Sequence, residues 1–204
     1  MLEPFPSVGH IYADAAVRHG FPQFPPDLLK ERFISAWRQF EDFNYTRTEW
    51  ARLVDATFKG LIDKAPSETF FPELYEQFAL PGAWHVFPDV LPTLEELASA
   101  GLKLAIISNW DERLRPLLRA CRLDQYFESI SISCELGFRK PMREIFRVTA
   151  EKLGLSPEAI LHVGDNPMND AEGARAAGLQ ARLLLRGSKP LEPGQIQSLC
   201  ELYS

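Results

Sequence analysis

The chain has 204 residues, a formal net charge of −6 and a pI near 5.3, which is long enough for one core and a small second domain. The acidic balance, with no basic cluster, argues against a nucleic-acid partner. The longest apolar run, LAIISNW, is too short to cross a bilayer, and the amino terminus lacks a signal-peptide pattern. Three widely spaced cysteines without a CxxC pair fit free thiols in a reducing compartment. We therefore expect a cytoplasmic protein that binds neither nucleic acid nor membrane.

From Ser7 to about Leu80 the sequence shows helical periodicity and no convincing strand. Thr46 or Thr48 is predicted to cap the third of these helices. The aromatic stripes favour a helix-bundle core over a substrate pocket. The predicted helices lie in VGHIYADAAVRHG, PDLLKERFISAWRQFED, TRTEWARLVDATFKGLI and PSETFFPELYEQFAL. Residues 1–82 are therefore predicted to form an all-helical region.

From residue 83 to residue 204 short apolar strands alternate with helices. The predicted strands are LKLAIISN, FESISIS, AILHVGD and QARLLL. The predicted helices are PDVLPTLEELASAG, DERLRPLLRACRL, PMREIFRVTAEKLG and NDAEGARAAG, and the tail after Arg186 is predicted to be irregular and then weakly helical. Alternation of this kind predicts an α/β domain around a parallel sheet that is buried on both faces.

Ligands of such a sheet bind at the carboxyl ends of its strands, so the polar residues that follow each strand are the candidates for a site. In IISNWD, Ser108 and Asn109 stand at the end of a strand. A hydroxyl and an amide there can donate hydrogen bonds to a phosphate-like oxyanion, although for this pair taken alone turn chemistry with a helix cap is the favoured explanation. Asp111 is predicted to cap the next helix.

A second candidate lies in SCELGFRKPMREIF, where Lys140 follows a glycine-containing loop. Pro141 is predicted to begin the next helix. A lysine at this position can neutralise a phosphate or orient a carboxylate, whereas a lone lysine is more often a solvated surface residue. Arg139 is the less favoured candidate in the same loop.

The third candidate lies in LHVGDNPMNDAEGARAAG, where Asp165 ends a strand and Asp170 lies beside the next helix. Carboxylate oxygens suit a hard cation such as Mg²⁺. Asp170 could instead cap the helix without any metal. His162 is one residue too early to face the strand end, so we expect it to be buried beside the sheet.

With these motifs in this order, the chain resembles the haloacid dehalogenase-like hydrolase superfamily, most of all the subclass with a helical cap inserted after the first strand. The resemblance implies a Rossmann-like core and a magnesium-dependent phosphatase that acts on a small phosphate ester through an aspartyl-phosphate intermediate. It further implies that Ser108, with Asn109 beside it, binds the phosphoryl group and that Lys140 offsets its charge. Asp165 would bind Mg²⁺, and Asp170 would support the metal or its waters.

One family motif is missing: no Asp-x-Asp-x-Thr follows a strand, so the nucleophilic aspartate has no counterpart. The first strand lies centrally in this fold class, so the sequence predicts an empty sheet position unless the flanking strands close up. An upstream start is the favoured explanation, against a truncated product or a non-catalytic relative.

We expect this chain to have little or no turnover. Two alternatives to a phosphatase remain, namely a 2-haloacid dehalogenase and a binding or regulatory pseudoenzyme. The substrate and the oligomeric state stay open, because the aromatic residues of the helical region cannot be divided between core and pocket from their spacing.

Overall fold

The computed structural model describes residues 1–187 and 192–203. The chain divides into two compact units. The first comprises Met1–Phe87 with Arg113–Cys121, and the second comprises Pro88–Glu112 with Arg122–Ser204. The functional division into a region 1–82 and a region 83–204 stays a prediction. No helix in the described part of the chain is long and apolar enough to cross a membrane.

The elements follow one another in a helical first part and an alternating second part. The helices are α1 (Val8–Arg18), α2 (Pro26–Trp37), α3 (Arg47–Phe58), α4 (Phe71–Gln77), α5 (Val90–Ser99), α6 (Leu114–Ala120), α7 (Ser133–Leu136), α8 (Arg143–Leu153) and α9 (Gly173–Ala176). The strands are β1 (Leu2–Pro4), β2 (Trp84–Val86), β3 (Ala105–Ser108), β4 (Ser129–Ile132), β5 (Leu161–Gly164), β6 (Gln180–Leu184) and β7 (Gln195–Ile196). A π-helical turn spans Pro167–Glu172. The predicted alternation is confirmed, and β7 adds a strand to the tail, of which residues 188–191 and 204 lie outside the described residues.

The first unit is a helical bundle with a largely aromatic interior. Phe58 and Phe70 are completely buried, and their rings meet at a centroid distance of 5.2 Å. Thr46 caps α3 as predicted, because its hydroxyl accepts a hydrogen bond from Glu49 N at 3.3 Å. The aromatic stripes thus pack chiefly into the bundle core.

A short strand lies where the sequence predicts only a linker. Residues Leu2–Pro4 form β1, which pairs antiparallel with β2 within the first unit. Three residues that include a proline give no alternation pattern, so this pairing is set by the distant strand and not by local sequence.

In the second unit α8 buries the side chains that its periodicity predicts, namely Ile145, Phe146, Thr149 and Leu153. Gly154 ends the helix with φ +63°. Two predictions about helix starts are wrong. α8 begins at Arg143, because Pro141 lies in a turn two residues earlier. Asp111 does not cap α6, because a turn at residues 112 and 113 separates it from the helix.

The second unit contains its parallel strands in two separate sheets. β3 pairs with β4, and β5, β6 and β7 form a three-stranded sheet. Among the described residues β3 and β5 are not hydrogen-bonded to each other. The two strands thus belong to different sheets in the described part of the chain, and the empty sheet position stays a prediction.

Candidate active site

The site begins at the end of β3, where Asn109 holds the backbone of Lys140. The Asn109 side-chain amide donates from Nδ2 to Lys140 O at 2.9 Å, and its Oδ1 accepts from Lys140 N at 2.7 Å. This pair of hydrogen bonds joins the residue after β3 to the loop before α8. The amide of Asn109 is therefore engaged in placing Lys140, which is a different role from contacting a ligand.

Ser108 is the last residue of β3 and is half-buried. Its hydroxyl makes no hydrogen bond with any residue that the structure describes. It directly precedes Asn109, so it lies at the same strand end as the Lys140 loop. A hydroxyl in this position is available to an incoming oxyanion.

Asp170 accepts hydrogen bonds from three donors. Its Oδ1 accepts from Lys140 Nζ at 2.6 Å and from His162 Nε2 at 3.0 Å, and its Oδ2 accepts from the backbone N–H of Asn166 at 2.9 Å. The residue is 3% exposed. Such a buried carboxylate is stable only when its charge is compensated, and Lys140 supplies that charge.

The environment fixes the protonation states of this network. Burial alone raises the pKa of the Asp170 carboxyl, but the hydrogen bonds from His162 and Lys140 and the lysine charge outweigh it and hold this pKa well below its usual range. Burial lowers the pKa of His162, and the charge of Lys140 lowers it further against the opposing effect of Asp170. The imidazole is therefore neutral at neutral pH and carries its proton on Nε2, the nitrogen that faces the carboxylate.

Two further contacts determine where Asp170 and His162 sit. The His162 ring meets the buried Phe146 ring edge-on, with centroids 5.2 Å apart and planes at 89°. A Cβ added to Gly164 would lie 2.2 Å from Asp170 Cγ, so the strand can carry only glycine there. The glycine of the Gly-Asp pair thus leaves room for the Asp170 carboxylate.

Asp165 contrasts with Asp170 although it lies in the same loop. It is exposed, and within residues 1–187 and 192–203 it makes no hydrogen bond or ion pair. Asp170 is no helix cap, since the turn is capped by Asn166 Oδ1, which accepts from Asn169 N at 2.8 Å. Of the two predicted metal ligands, Asp165 is the one with unengaged oxygens.

The residues present do not complete a magnesium site. The part of the chain that the structure describes contains no group of three His, Cys, Asp or Glu side chains that could hold a metal ion. The oxygens of Asp170 already accept from three donors, so of the two predicted metal ligands only Asp165 offers unengaged carboxylate oxygens among the described residues. A Mg²⁺ ion bound here would need further ligands.

The structure brings three of the predicted site residues into one hydrogen-bonded network, and their roles stay predictions. Hydrogen bonds join Asn109, Lys140 and Asp170. Ser108 directly precedes Asn109, and Asp165 directly follows β5. The His162 side chain is largely covered, 11% exposed, which agrees with the expectation, but its contact with Asp170 was not predicted. No sequence pattern signals this contact, because Asp170 lies in a π-helical turn that the sequence does not predict.

The hydroxyl, lysine and carboxylate groups of this parallel α/β unit lie near the carboxyl ends of its strands, where sheets of this kind bind ligands. The model of the haloacid dehalogenase-like hydrolases matches residues 11–178, so this chain belongs to that family.

Relatives and solved structures agree with this assignment. The human haloacid dehalogenase-like hydrolase domain-containing protein 3 is 33% identical over 91% of this chain and 78% of its own length. A phosphoserine phosphatase from Thermus thermophilus is 37% identical, over 53% of this chain and 44% of that protein. The crystal structure of a HAD phosphatase from Thermococcus onnurineus superposes on this chain with a TM-score of 0.68 and 27% sequence identity. The match covers 95% of this chain and 85% of the phosphatase chain.

Proposed function

We propose that this chain carries the phosphoryl-binding part of a magnesium-dependent phosphatase that acts on a small phosphate ester. The observation that carries the proposal is the ion pair of Lys140 with the buried Asp170 at 2.6 Å, tied by Asn109 to the end of β3. Phosphatases among its relatives support this class of substrate, since a glyceraldehyde 3-phosphate phosphatase from Methanopyrus kandleri is 33% identical over 52% of this chain.

Lys140 is our candidate for binding a phosphoryl oxygen. Its ammonium has three donors, and Asp170 takes one of them. The carboxylate fixes the direction of the ammonium, so the remaining donors are oriented before a ligand arrives. The free hydroxyl of Ser108 adds a neutral donor at the same strand end. Oriented donors that meet the charge of a phosphoryl group are what phosphoryl transfer chiefly requires.

Asp165 is our candidate ligand for Mg²⁺, which when bound would neutralise charge on the phosphoryl oxygens. The described residues do not supply the other protein ligand or the nucleophilic aspartate that the family resemblance calls for. We therefore propose that this chain binds the phosphoryl group with little or no turnover. Because these two carboxylates are lacking among the described residues, a binding or regulatory protein that retains oxyanion recognition is the second candidate.

Titration calorimetry with inorganic phosphate tests the proposed binding role. The chain should bind phosphate, and Ser108→Ala should weaken binding without disturbing the Lys140 network. Lys140→Gln removes a charge-assisted donor, so it should weaken binding by at least about tenfold. Arg139→Gln is the matched control, because it removes one positive charge from the same loop and should leave phosphate affinity within about twofold.

A parallel titration separates the phosphatase from the dehalogenase. A 2-haloacid such as 2-chloropropionate carries a single carboxylate and should bind more weakly than phosphate. Preference for the haloacid would favour the dehalogenase. Equal phosphate affinity in all three variants would place phosphate elsewhere and refute the proposed site.

A further inference from the structure

A cavity lies within the first unit, between the loop that follows α1 and the loop that follows α3. Its volume is about 340 Å³, which is at the lower end of the roughly 300–1,000 Å³ typical of small-molecule sites. The residues that line it are Phe21, Pro22, Leu61, Ile62, Asp63 and Lys64. All six belong to one compact unit, and none belongs to the candidate active site. The cavity is therefore a separate candidate site of a size that suits a small molecule.

The loop after α1 gives the cavity one apolar wall. Gly20 has φ +80°, and Phe21 N donates to Ala16 O at 3.0 Å, which is a closure common where a helix ends at a glycine. The Phe21 ring meets the completely buried Phe70 ring edge-on, with centroids 5.7 Å apart. Phe21 is thus held in place before any ligand binds, and a wall ordered in advance lowers the entropic cost of binding.

The loop after α3 gives the cavity its other apolar wall. Leu61 N donates to Phe58 O at 2.9 Å. Lys59 and Ile62 form an isolated parallel β-bridge around Gly60, which has φ +77°, a conformation that glycine adopts without strain. This turn presents Leu61 and Ile62 to the cavity. Two walls of this kind are suited to an apolar group.

The last two lining residues carry opposite charges. The side chains of Asp63 and Lys64 are exposed, and across the described stretches 1–187 and 192–203 neither makes a hydrogen bond or an ion pair. Because the two residues are consecutive, their Cα atoms are only about 3.8 Å apart. An anionic group and a cationic group therefore stand side by side at the edge of an apolar cavity.

We propose that this cavity binds a free α-amino acid with an apolar side chain, such as leucine. The ammonium of the ligand pairs with Asp63, its carboxylate pairs with Lys64, and its side chain lies between the two apolar walls. An α-amino acid carries both charges on one carbon atom, so it can meet two charged groups that come from consecutive residues. The proposal does not rest on the proposed function, since no residue of the phosphoryl site takes part.

Charge excludes other small ligands of similar size. A phosphate ester carries only negative charge, so Asp63 would repel it. A branched fatty-acid anion would pair with Lys64 but leave Asp63 without a partner, and an alkylamine would do the reverse. Only a ligand with both charges satisfies both side chains.

Titration of the purified chain with L-leucine, followed by amide chemical shifts in two-dimensional NMR spectra, tests the site. Shifts should be confined to the two loops and include the amides of Phe21, Ile62 and Asp63. We expect a dissociation constant on the order of 0.1–1 mM, because the ligand is small and its charges meet exposed partners. The amide of Lys140 is the internal control and should not shift. Shifts at Lys140 alone, or no shift in either loop at about ten times the weakest expected dissociation constant, would overturn the proposal.

Two analogues distinguish recognition of an amino acid from simple apolar contact. Isocaproate keeps the side chain and carboxylate of leucine but lacks the ammonium, whereas isoamylamine keeps the ammonium but lacks the carboxylate. Each analogue loses one charge-assisted hydrogen bond, so each should bind at least about fivefold more weakly than leucine. Equal affinity for all three compounds would contradict the assigned roles of both charged residues.

Three variants assign each charge of the ligand to its partner. Asp63→Asn should bind leucine and isocaproate with affinities within about twofold of each other, because the ammonium of leucine has lost its counter-ion. Lys64→Gln should in the same way remove the preference for leucine over isoamylamine. Lys59→Gln is the matched control, because it removes one positive charge from the same loop outside the cavity and should leave leucine affinity within about twofold. If both charge variants kept the preferences of the original chain, leucine would bind elsewhere and the proposal would be refuted.

Discussion

Replacing Asp170 with asparagine tests the electrostatic core of the site, because the substitution keeps the shape and removes the charge. Three donors point at the two carboxylate oxygens, from Lys140 and His162 on Oδ1 and from Asn166 N on Oδ2. In either orientation the asparagine NH₂ group faces one of these donors, and the half-buried ammonium of Lys140 loses its counter-ion. Breaking a buried pair in this way costs about 3–5 kcal/mol, so we expect a loss of about 3 kcal/mol.

Urea denaturation followed by circular dichroism, in the presence of EDTA, measures this loss as a change in the free energy of unfolding. Asp165→Asn is the matched control, because it makes the same chemical change five residues before Asp170. The Asp165 side chain is exposed and has no hydrogen bond or ion pair among the described residues. That control should change stability by no more than about 0.5 kcal/mol. If both variants lost the same amount, the contacts of Asp170 would not stabilise the fold and the reasoning would fail.

Two further predictions concern the second unit. Asp89 accepts two hydrogen bonds from Arg186 at 2.9 Å, and although burial raises the pKa of this carboxyl, those bonds hold it below its usual value. As pH falls, Asp89 of the unfolded chain is therefore protonated before Asp89 of the folded chain. The stabilisation from this ion pair should be complete above about pH 5 and be lost as pH falls below about 4. Asp89→Asn should flatten that part of the curve of unfolding free energy against pH. Gly164→Ala places a Cβ 2.2 Å from Asp170 Cγ and should cost about 2–3 kcal/mol in urea denaturation. Gly82→Ala, which has open space around it, should cost far less, and equal losses would contradict the crowding argument.

The order of elements and the polar strand ends could be predicted from sequence because both are local patterns. The apolar residues of α8, such as Ile145, recur with the helical period, and β3 is a short apolar run that includes Ile106. Ser108 ends β3, and Asp165 directly follows β5. The separation of β3 and β5 into different sheets of the described chain agrees with the missing motif but does not test it. Local periodicity was therefore sufficient to predict the type and order of most helices and strands.

The remaining features depend on contacts between distant residues, which no local pattern encodes. Asn109 was predicted as a ligand contact, yet its amide places the Lys140 backbone. The contact of His162 with Asp170 arises because a π-helical turn redirects the chain. β1 forms only through pairing with β2, about eighty residues away in sequence.

Turnover of an aryl phosphate by purified chain 1–204 in the presence of Mg²⁺ tests the central claim most directly. Ser108 and Asp165 lie at strand ends and Lys140 is joined to the end of β3 through Asn109, but the sequence contains no Asp-x-Asp-x-Thr motif after a strand to supply the nucleophile. We predict hydrolysis indistinguishable from the rate with Lys140→Gln. An ordinary enzymatic rate, on the order of 1 s⁻¹ or more, that the Lys140→Gln variant abolishes would show that another residue of this chain serves as nucleophile and would contradict the account.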